Sequence, residues 1–254
     1  MGTNYAIEVQ GLSKSFGAID AVQDVSLGMP ENEVMALMGD NGAGKSTFIK
    51  MLSGVITPDS GSIYIEDEEV SLSSHEDARA HGIETVYQDL ALAPNRTVWE
   101  NLFLGKEIKS DGVLGSVFNW LDDDRMIRES RRVLTELGMD MDPQDVIKNM
   151  SGGQQQAVAI ARAIQSDPKI VIMDEPTSAL SVEAAEEILE LIETLKKQGI
   201  TIILIDHNID EVFRVADRMA VLASGQLMGI RSKQQLTEDQ VIQMMMGEKI
   251  STSA

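Results

Sequence analysis

The sequence predicts an α/β fold: a mostly parallel sheet flanked by helices, with a helical insertion in the middle of the chain. Three observations predict it. Short apolar runs of strand length alternate with segments of helical spacing in the first and last thirds. One of those runs leads straight into a glycine-rich loop that opens a helix. Between Leu90 and Met150 the β-branched runs cease and helical patches replace them.

Taken in order, Ala6 to Gln10 and Ala21 to Leu27 read as strands on either side of a turn at Gly17. Val34-Met35-Ala36-Leu37-Met38 is a strand-length apolar run, and Thr47 to Leu52 resumes with helical spacing. Ser62 to Glu66 alternates as a half-exposed strand would. In the middle, Arg125 to Leu137 reads as helix, with loops marked by Gly112, Gly115 and Pro143. A helix from Gln154 to Gln165 then leads to the buried-type strand Ile170 to Met173. The helix from Glu183 to Lys197 carries Ile188, Leu191, Ile192 and Leu195 on one face. Strands at Thr201 to Ile205 and Met219 to Ala223 follow. The acidic clusters Glu66-Asp67-Glu68-Glu69 and Asp122-Asp123-Asp124 read as solvated surface, and Met244-Met245-Met246 as packing or a fraying tail.

Composition narrows the class of function. Of the 254 residues 43% are hydrophobic, enough for a sizeable core. Forty-one acids against 21 bases leave a net charge of −20, which argues against nucleic acid as a partner for the surface as a whole and excludes a polybasic membrane anchor. The absence of cysteine excludes a disulfide framework and a thiolate metal site, and fits a reducing compartment. Met1 to Tyr5 lacks the basic-then-apolar pattern of a signal peptide, and no apolar run is long enough to span a bilayer. The expectation is a soluble cytosolic protein.

Gly39-Asp40-Asn41-Gly42-Ala43-Gly44-Lys45-Ser46-Thr47 fits the phosphate-loop pattern G-x-x-x-x-G-K-S/T, between a strand and a helix. Glycines at these places let successive backbone N–H groups point inward at an anion, and the helix that follows adds the positive end of its dipole. Lys45 is expected to reach the β- and γ-phosphates of a bound nucleotide, and Ser46 to give an oxygen to Mg²⁺. This also resolves the charge problem, because an acidic chain can hold a polyanion with backbone amides and one lysine.

The strand Ile170 to Met173 ends in Asp174-Glu175-Pro176. Asp174 is placed to hold the metal through water, and Glu175 to act as general base toward the attacking water. His207 follows Asp206 at the carboxyl end of another strand, where such sheets bind ligands, so it has two readings: a hydrogen bond to the γ-phosphate, or the surface or capping role that a lone histidine more commonly fills. His75 and His81 read as surface or capping residues.

Met150-Ser151-Gly152-Gly153-Gln154-Gln155-Gln156 resembles the L-S-G-G-Q signature of ATP-binding cassette (ABC) ATPases. With it stand a Q-loop glutamine, Gln88, in Val86-Tyr87-Gln88-Asp89, and a D-loop-like Ser178-Ala179-Leu180-Ser181. His207 matches the switch histidine, and Phe16 the aromatic that stacks on adenine. The resemblance covers essentially the whole chain. It implies a P-loop cassette whose parallel-sheet core, about 1–89 and 156–254, carries an antiparallel β subdomain and an inserted helical subdomain, about 90–155. It implies ATP and Mg²⁺ as cofactors, with Gln88 joining Ser46 and Asp174 around the metal. It also implies a head-to-tail homodimer, or heterodimer with a similar chain, in which Ser151, Gly152, Gly153 and Gln154 of one copy face the ATP of the other.

Within the family, Val86 to Leu92, Asn101-Leu102-Phe103-Leu104-Gly105 and Asp206-His207-Asn208 resemble ATPases of monosaccharide importers, the ribose, xylose and fructose type, here in single-cassette form. That implies a cytoplasmic subunit on the inner face of the membrane, coupled to permease subunits and indirectly to a periplasmic sugar-binding protein. Gln88 and the helical insertion would form the groove for the permease, with Trp99, Leu102 and Phe103 as its apolar floor or, equally, as core of the subdomain. A soluble ABC ATPase acting on a macromolecular machine is the alternative. A catalytically silent cassette is a third reading, opposed by the presence of Glu175 and His207. The departures are Met150 for leucine, Ser181 for the D-loop aspartate, Asp206 where serine or threonine is common, and Phe16 for tyrosine.

Overall fold

The computed structural model describes residues 4–110 and 120–249; Met1 to Thr3, Gly112 and Gly115 lie outside the described residues. The chain forms two compact units. The first takes in the described residues of Met1–Gln88, Pro168–Ser178 and Leu195–Ala254, the second those of Asp89–Asp167 and Ala179–Thr194.

Two sheets build the first unit. Strands β1 (Tyr5–Phe16), β2 (Ile19–Pro30), β4 (Ser60–Ile65) and β5 (Glu68–Val70) form an antiparallel sheet in the order β2-β1-β4-β5. Strands β3 (Val34–Met38), β6 (Ile83–Val86), β7 (Ile170–Asp174), β8 (Thr201–Ile205), β9 (Arg218–Ala223) and β10 (Gln226–Ser232) form the second, in the order β10-β9-β3-β8-β7-β6. All its neighbouring pairs are parallel except β10 with β9. Every residue of β3 and β8 is buried, as expected of parallel strands covered on both faces. The glycine-initiated helix α1 (Lys45–Leu52) buries Phe48, Ile49, Met51 and Leu52 in a core shared by both sheets. Burial of such side chains stabilises by roughly 1.5–3 kcal/mol each. Helices α2 (His75–Ala80), α7 (Ile209–Val215) and α8 (Glu238–Met245) complete the unit. In α8 Met244 is buried and Met246, just past its end, is exposed, so the methionine run is part packing and part tail.

The second unit is helical. It holds α3 (Val98–Leu102), α4 (Asp123–Glu136), α5 (Gly152–Ile164) and most of α6 (Val182–Lys197). Asp122 accepts a hydrogen bond from the Arg125 amide and caps α4, while Asp123 and Asp124 stand in its first turn. That acidic cluster is therefore more than solvated surface: it meets the positive end of the helix dipole. Leu102 and Phe103 are buried in the unit's core and Trp99 is half-buried. Of the two readings of these residues, groove floor or core of the subdomain, the structure gives core for Leu102 and Phe103.

Candidate functional site

Strand β3 delivers the chain into Gly39 to Gly44, where the backbone takes positive φ at Gly39 (153°), Gly42 (81°) and Gly44 (103°). A methyl group at Gly39 would stand 2.4 Å from the Leu222 carbonyl oxygen, and one at Gly44 2.3 Å from that of Ala21. Only glycine fits either place. The loop ends as the N-terminus of α1, and Lys45 folds back so that Nζ donates to the Gly39 carbonyl at 2.6 Å and the Asp40 carbonyl at 3.1 Å. Burial holds the Lys45 ammonium below the usual lysine range, against the opposing pull of Glu175, Asp40 and Asp174.

The loop lines a cleft of about 600 Å³ together with Asp174, Glu175, Ser46 and Thr47. Within the loop the Asn41 amide donates to the Asp40 carboxylate at 2.7 Å, which holds that side chain against its own backbone. Asp174 closes β7 opposite Ile205 of β8. Its carboxyl is pushed up by burial first and by the adjacent Glu175 charge second. Ser46 and Asp174 give one wall of the cleft a hydroxyl and a carboxylate, hard oxygen donors of the kind Mg²⁺ takes.

Glu175 has φ +49°, a left-handed conformation unusual for its type, and its N–H donates to the Ile205 carbonyl at 2.8 Å. Three other predicted residues gather on it. Gln88 Nε2 donates to Glu175 Oε2 at 3.2 Å. Ser178 Oγ donates to the Glu175 carbonyl at 3.1 Å. His207 Nδ1 lies 3.5 Å from Glu175 Oε1, with its ring largely exposed. Phe16 closes β1 with its ring half exposed, and its cross-strand partner Ile19 lines the cleft. His75 packs edge-on against Tyr87 and His81 caps α2, in line with the surface and capping roles expected of them.

Ser151, Gly152, Gly153 and Gln154 open α5 in the second unit. Ser151 Oγ accepts from the Gln154 amide at 3.2 Å, and Gln154 Oε1 accepts from the Ser151 amide at 2.9 Å, a reciprocal cap. A methyl at Gly153 would stand 2.8 Å from Ala184 Cβ, so the glycine lets α5 and α6 approach. Ala179, Leu180 and Ser181 lead into α6, where Ser181 Oγ accepts from the Ala184 amide at 3.3 Å. Serine in place of the expected aspartate thus caps the helix.

Against known proteins, residues 22–178 match the model of the family described as ABC transporter. The chain belongs to the ABC transporter family. It is 42% identical over 240 residues to the xylose/arabinose import ATP-binding protein of Sulfolobus acidocaldarius, covering 94% of this chain and 93% of that protein. It is 41% identical over 246 residues to the fructose import ATP-binding protein of Rhizobium meliloti, covering 96% and 94%. Among solved structures, a nucleotide-free ATP-binding cassette from an ABC transporter matches with a TM-score of 0.81 at 27% identity, over 96% of each chain. A dimeric cassette bound to ADP and phosphate in a post-hydrolysis state matches with a TM-score of 0.72 at 26% identity, over 89% of this chain and 98% of that one. The chain is an ABC-type ATPase with the cassette fold, in which a nucleotide-binding parallel sheet and an antiparallel sheet share one core. Among its described residues no helix is long and apolar enough to cross a membrane.

Sequence reasoning missed Thr177 and gave Asp206 no role. Both are buried and they are hydrogen-bonded to each other, Thr177 Oγ1 donating to Asp206 Oδ2 at 3.0 Å. They stand 29 positions apart, and only the pairing of β7 with β8 brings them together.

Proposed function

We propose that this chain is the ATP-hydrolysing subunit of a monosaccharide importer, working as a head-to-tail pair of cassettes on the cytoplasmic face of the membrane. The observation that carries the hydrolytic part is Glu175, a carboxylate in the phosphate-loop cleft that accepts a hydrogen bond from Gln88 and has His207 Nδ1 3.5 Å away. In the proposed reaction the ATP phosphates enter the loop, and Lys45 exchanges the Gly39 and Asp40 carbonyls for the β- and γ-phosphate oxygens. The α1 N-terminus adds backbone N–H donors. Ser46 and Asp174, with Gln88, would hold Mg²⁺, which when bound neutralises charge on the phosphate oxygens. Glu175 takes the proton of the attacking water as the water oxygen bonds to the γ-phosphorus and the bond to ADP breaks. His207 donates to the γ-phosphate, and Phe16 stacks on the adenine. Ser151, Gly152, Gly153 and Gln154 of a second copy close over the same nucleotide, and Ser178 to Ser181 pass along the interface. The dimeric cassette holding ADP and phosphate supports this arrangement.

The substrate class is supported by the names of the relatives, which import xylose or arabinose and fructose. Those names also favour membrane permease subunits as partners over a non-transport machine. The test is Glu175→Gln. ATP binding should persist, the ATP-bound pair should become long-lived, and turnover should fall about 100-fold or more. Drawn from native membranes in mild detergent, the variant should carry a polytopic permease with it. Normal turnover would overturn the base assignment, and recovery with soluble machinery alone would overturn the importer reading.

A further inference from the structure

We propose that Asp206 is a positioning residue that ties the turn bearing Glu175 to the turn bearing His207. The inference rests on the reading of Glu175 and His207 as catalytic groups.

Asp206 is 2% exposed, and both of its partners are neutral. Burying a carboxylate is costly unless its oxygens are satisfied, so a buried Asp with a defined partner on each oxygen holds those partners firmly. Oδ2 accepts from Thr177 Oγ1 at 3.0 Å and Oδ1 from the Asn208 N–H at 2.9 Å. The first bond reaches the turn after β7, two residues beyond Glu175. The second closes the turn after β8 around His207, so the histidine sits between two residues bonded to each other. A single hydroxyl at 206 offers one oxygen and could not serve both turns in the same way.

The clamp sits where the sheet stops helping. Residues up to Asp174 are held by the β7–β8 ladder, and the Glu175 N–H makes one more bond to Ile205. Beyond that, Glu175 keeps a left-handed backbone at φ +49°, a conformation that persists only when its surroundings impose it. The Thr177–Asp206 bond is the next fixed point along the chain and it is buried, where water does not compete for it. Loosening it would let Glu175 and His207 drift apart from their 3.5 Å separation while the phosphate loop keeps its shape. Misplacement of a reacting group by about 1 Å can cost up to 100-fold in rate.

The test uses the full chain and steady-state hydrolysis of Mg-ATP. Thr177→Val keeps the shape and removes the donor; kcat should fall roughly ten-fold with KM for Mg-ATP within about two-fold. Thr177→Ser restores the hydroxyl and should restore kcat. Glu175→Gln is run beside them. If Thr177→Val turns over normally while Glu175→Gln is inactive, the clamp is refuted and the assignment of Glu175 stands. Equal loss in Thr177→Val and Thr177→Ser, or a KM that rises in step with the loss of kcat, also refutes it, because packing or nucleotide binding would then be the cause. Normal turnover in Glu175→Gln removes the reading on which the clamp depends.

Discussion

Asp174 and Glu175 place two carboxylates side by side at the end of a buried strand, with Lys45 and Lys50 as nearby cations. The arrangement suits a site that is to receive a cation and does not suit an empty one. Burial, then the Glu175 charge, raise the Asp174 carboxyl above its unfolded value. The folded chain therefore keeps a proton that the unfolded chain has already lost. The contribution of Asp174 to stability is present below the unfolded carboxylate pKa and is lost as pH rises through the higher folded value. At neutral pH the charged side chain is a liability in the metal-free, nucleotide-free protein. Asp174→Asn should accordingly raise Tm at neutral pH with chelator present, and the difference should vanish near about pH 3, where both states are protonated. Scanning calorimetry at the two pH values decides it, and an unchanged or lower Tm at neutral pH would contradict the burial argument. Residue types at the phosphate loop were legible in the sequence because loop chemistry is local: the glycines, lysine and serine lie within nine consecutive positions. The role of Asp206 was not legible, because it depends on a partner on another turn.

Helices and strands differ in how plainly the sequence announces them. Strands β3, β7 and β8 stand out as unbroken apolar runs because a parallel strand covered on both faces has no polar side to alternate. Helix α2 carries a single fully buried residue, Ala78, so it has no periodicity to read; it is held by its Ser74 cap, which accepts from the Asp77 amide. Helix α3 is short but carries a signal, Thr97-Val98-Trp99-Glu100, that forms a capping box in the structure. The Thr97 side chain accepts from the Glu100 amide, and the Glu100 carboxylate accepts from the Thr97 amide at 2.8 Å. Thr97→Ala should cost about 1 kcal/mol and lower Tm by roughly 2–4 °C, measured by thermal denaturation. A loss below a few tenths of a kcal/mol would mean the cap is replaced by water. The burial of Leu102 and Phe103 belongs to the same level: helical spacing shows which residues share a face, and the neighbours decide whether that face is core.

At the scale of the whole molecule, a charge of −20 is a standing repulsion that the fold must overcome. Ion pairs such as Lys14–Asp59 and Arg218–Glu33 answer part of it, but acids outnumber bases almost two to one. The Debye length shortens from about 30 Å at 0.01 M salt to about 3 Å at 1 M, so added salt should screen this repulsion. Tm should therefore rise between about 10 mM and 500 mM NaCl, by several degrees. A flat or falling curve would mean that attractive pairs outweigh the excess of acids.

The phosphate loop has one more consequence, for how this sequence can drift. The carbonyls of Ala21 and Leu222, one on the antiparallel sheet and one on the parallel sheet, fill the spaces that side chains at Gly44 and Gly39 would need. The loop is wedged between two layers, and backbone bonds from Gly225 to Ala43 and from Gln23 to Gly225 lace the wedge shut. Its curvature is therefore settled during folding rather than on arrival of the nucleotide. Alanine at either glycine would force these layers to shift whether or not a nucleotide is bound, so the demand for glycine there belongs to the fold as much as to the ligand.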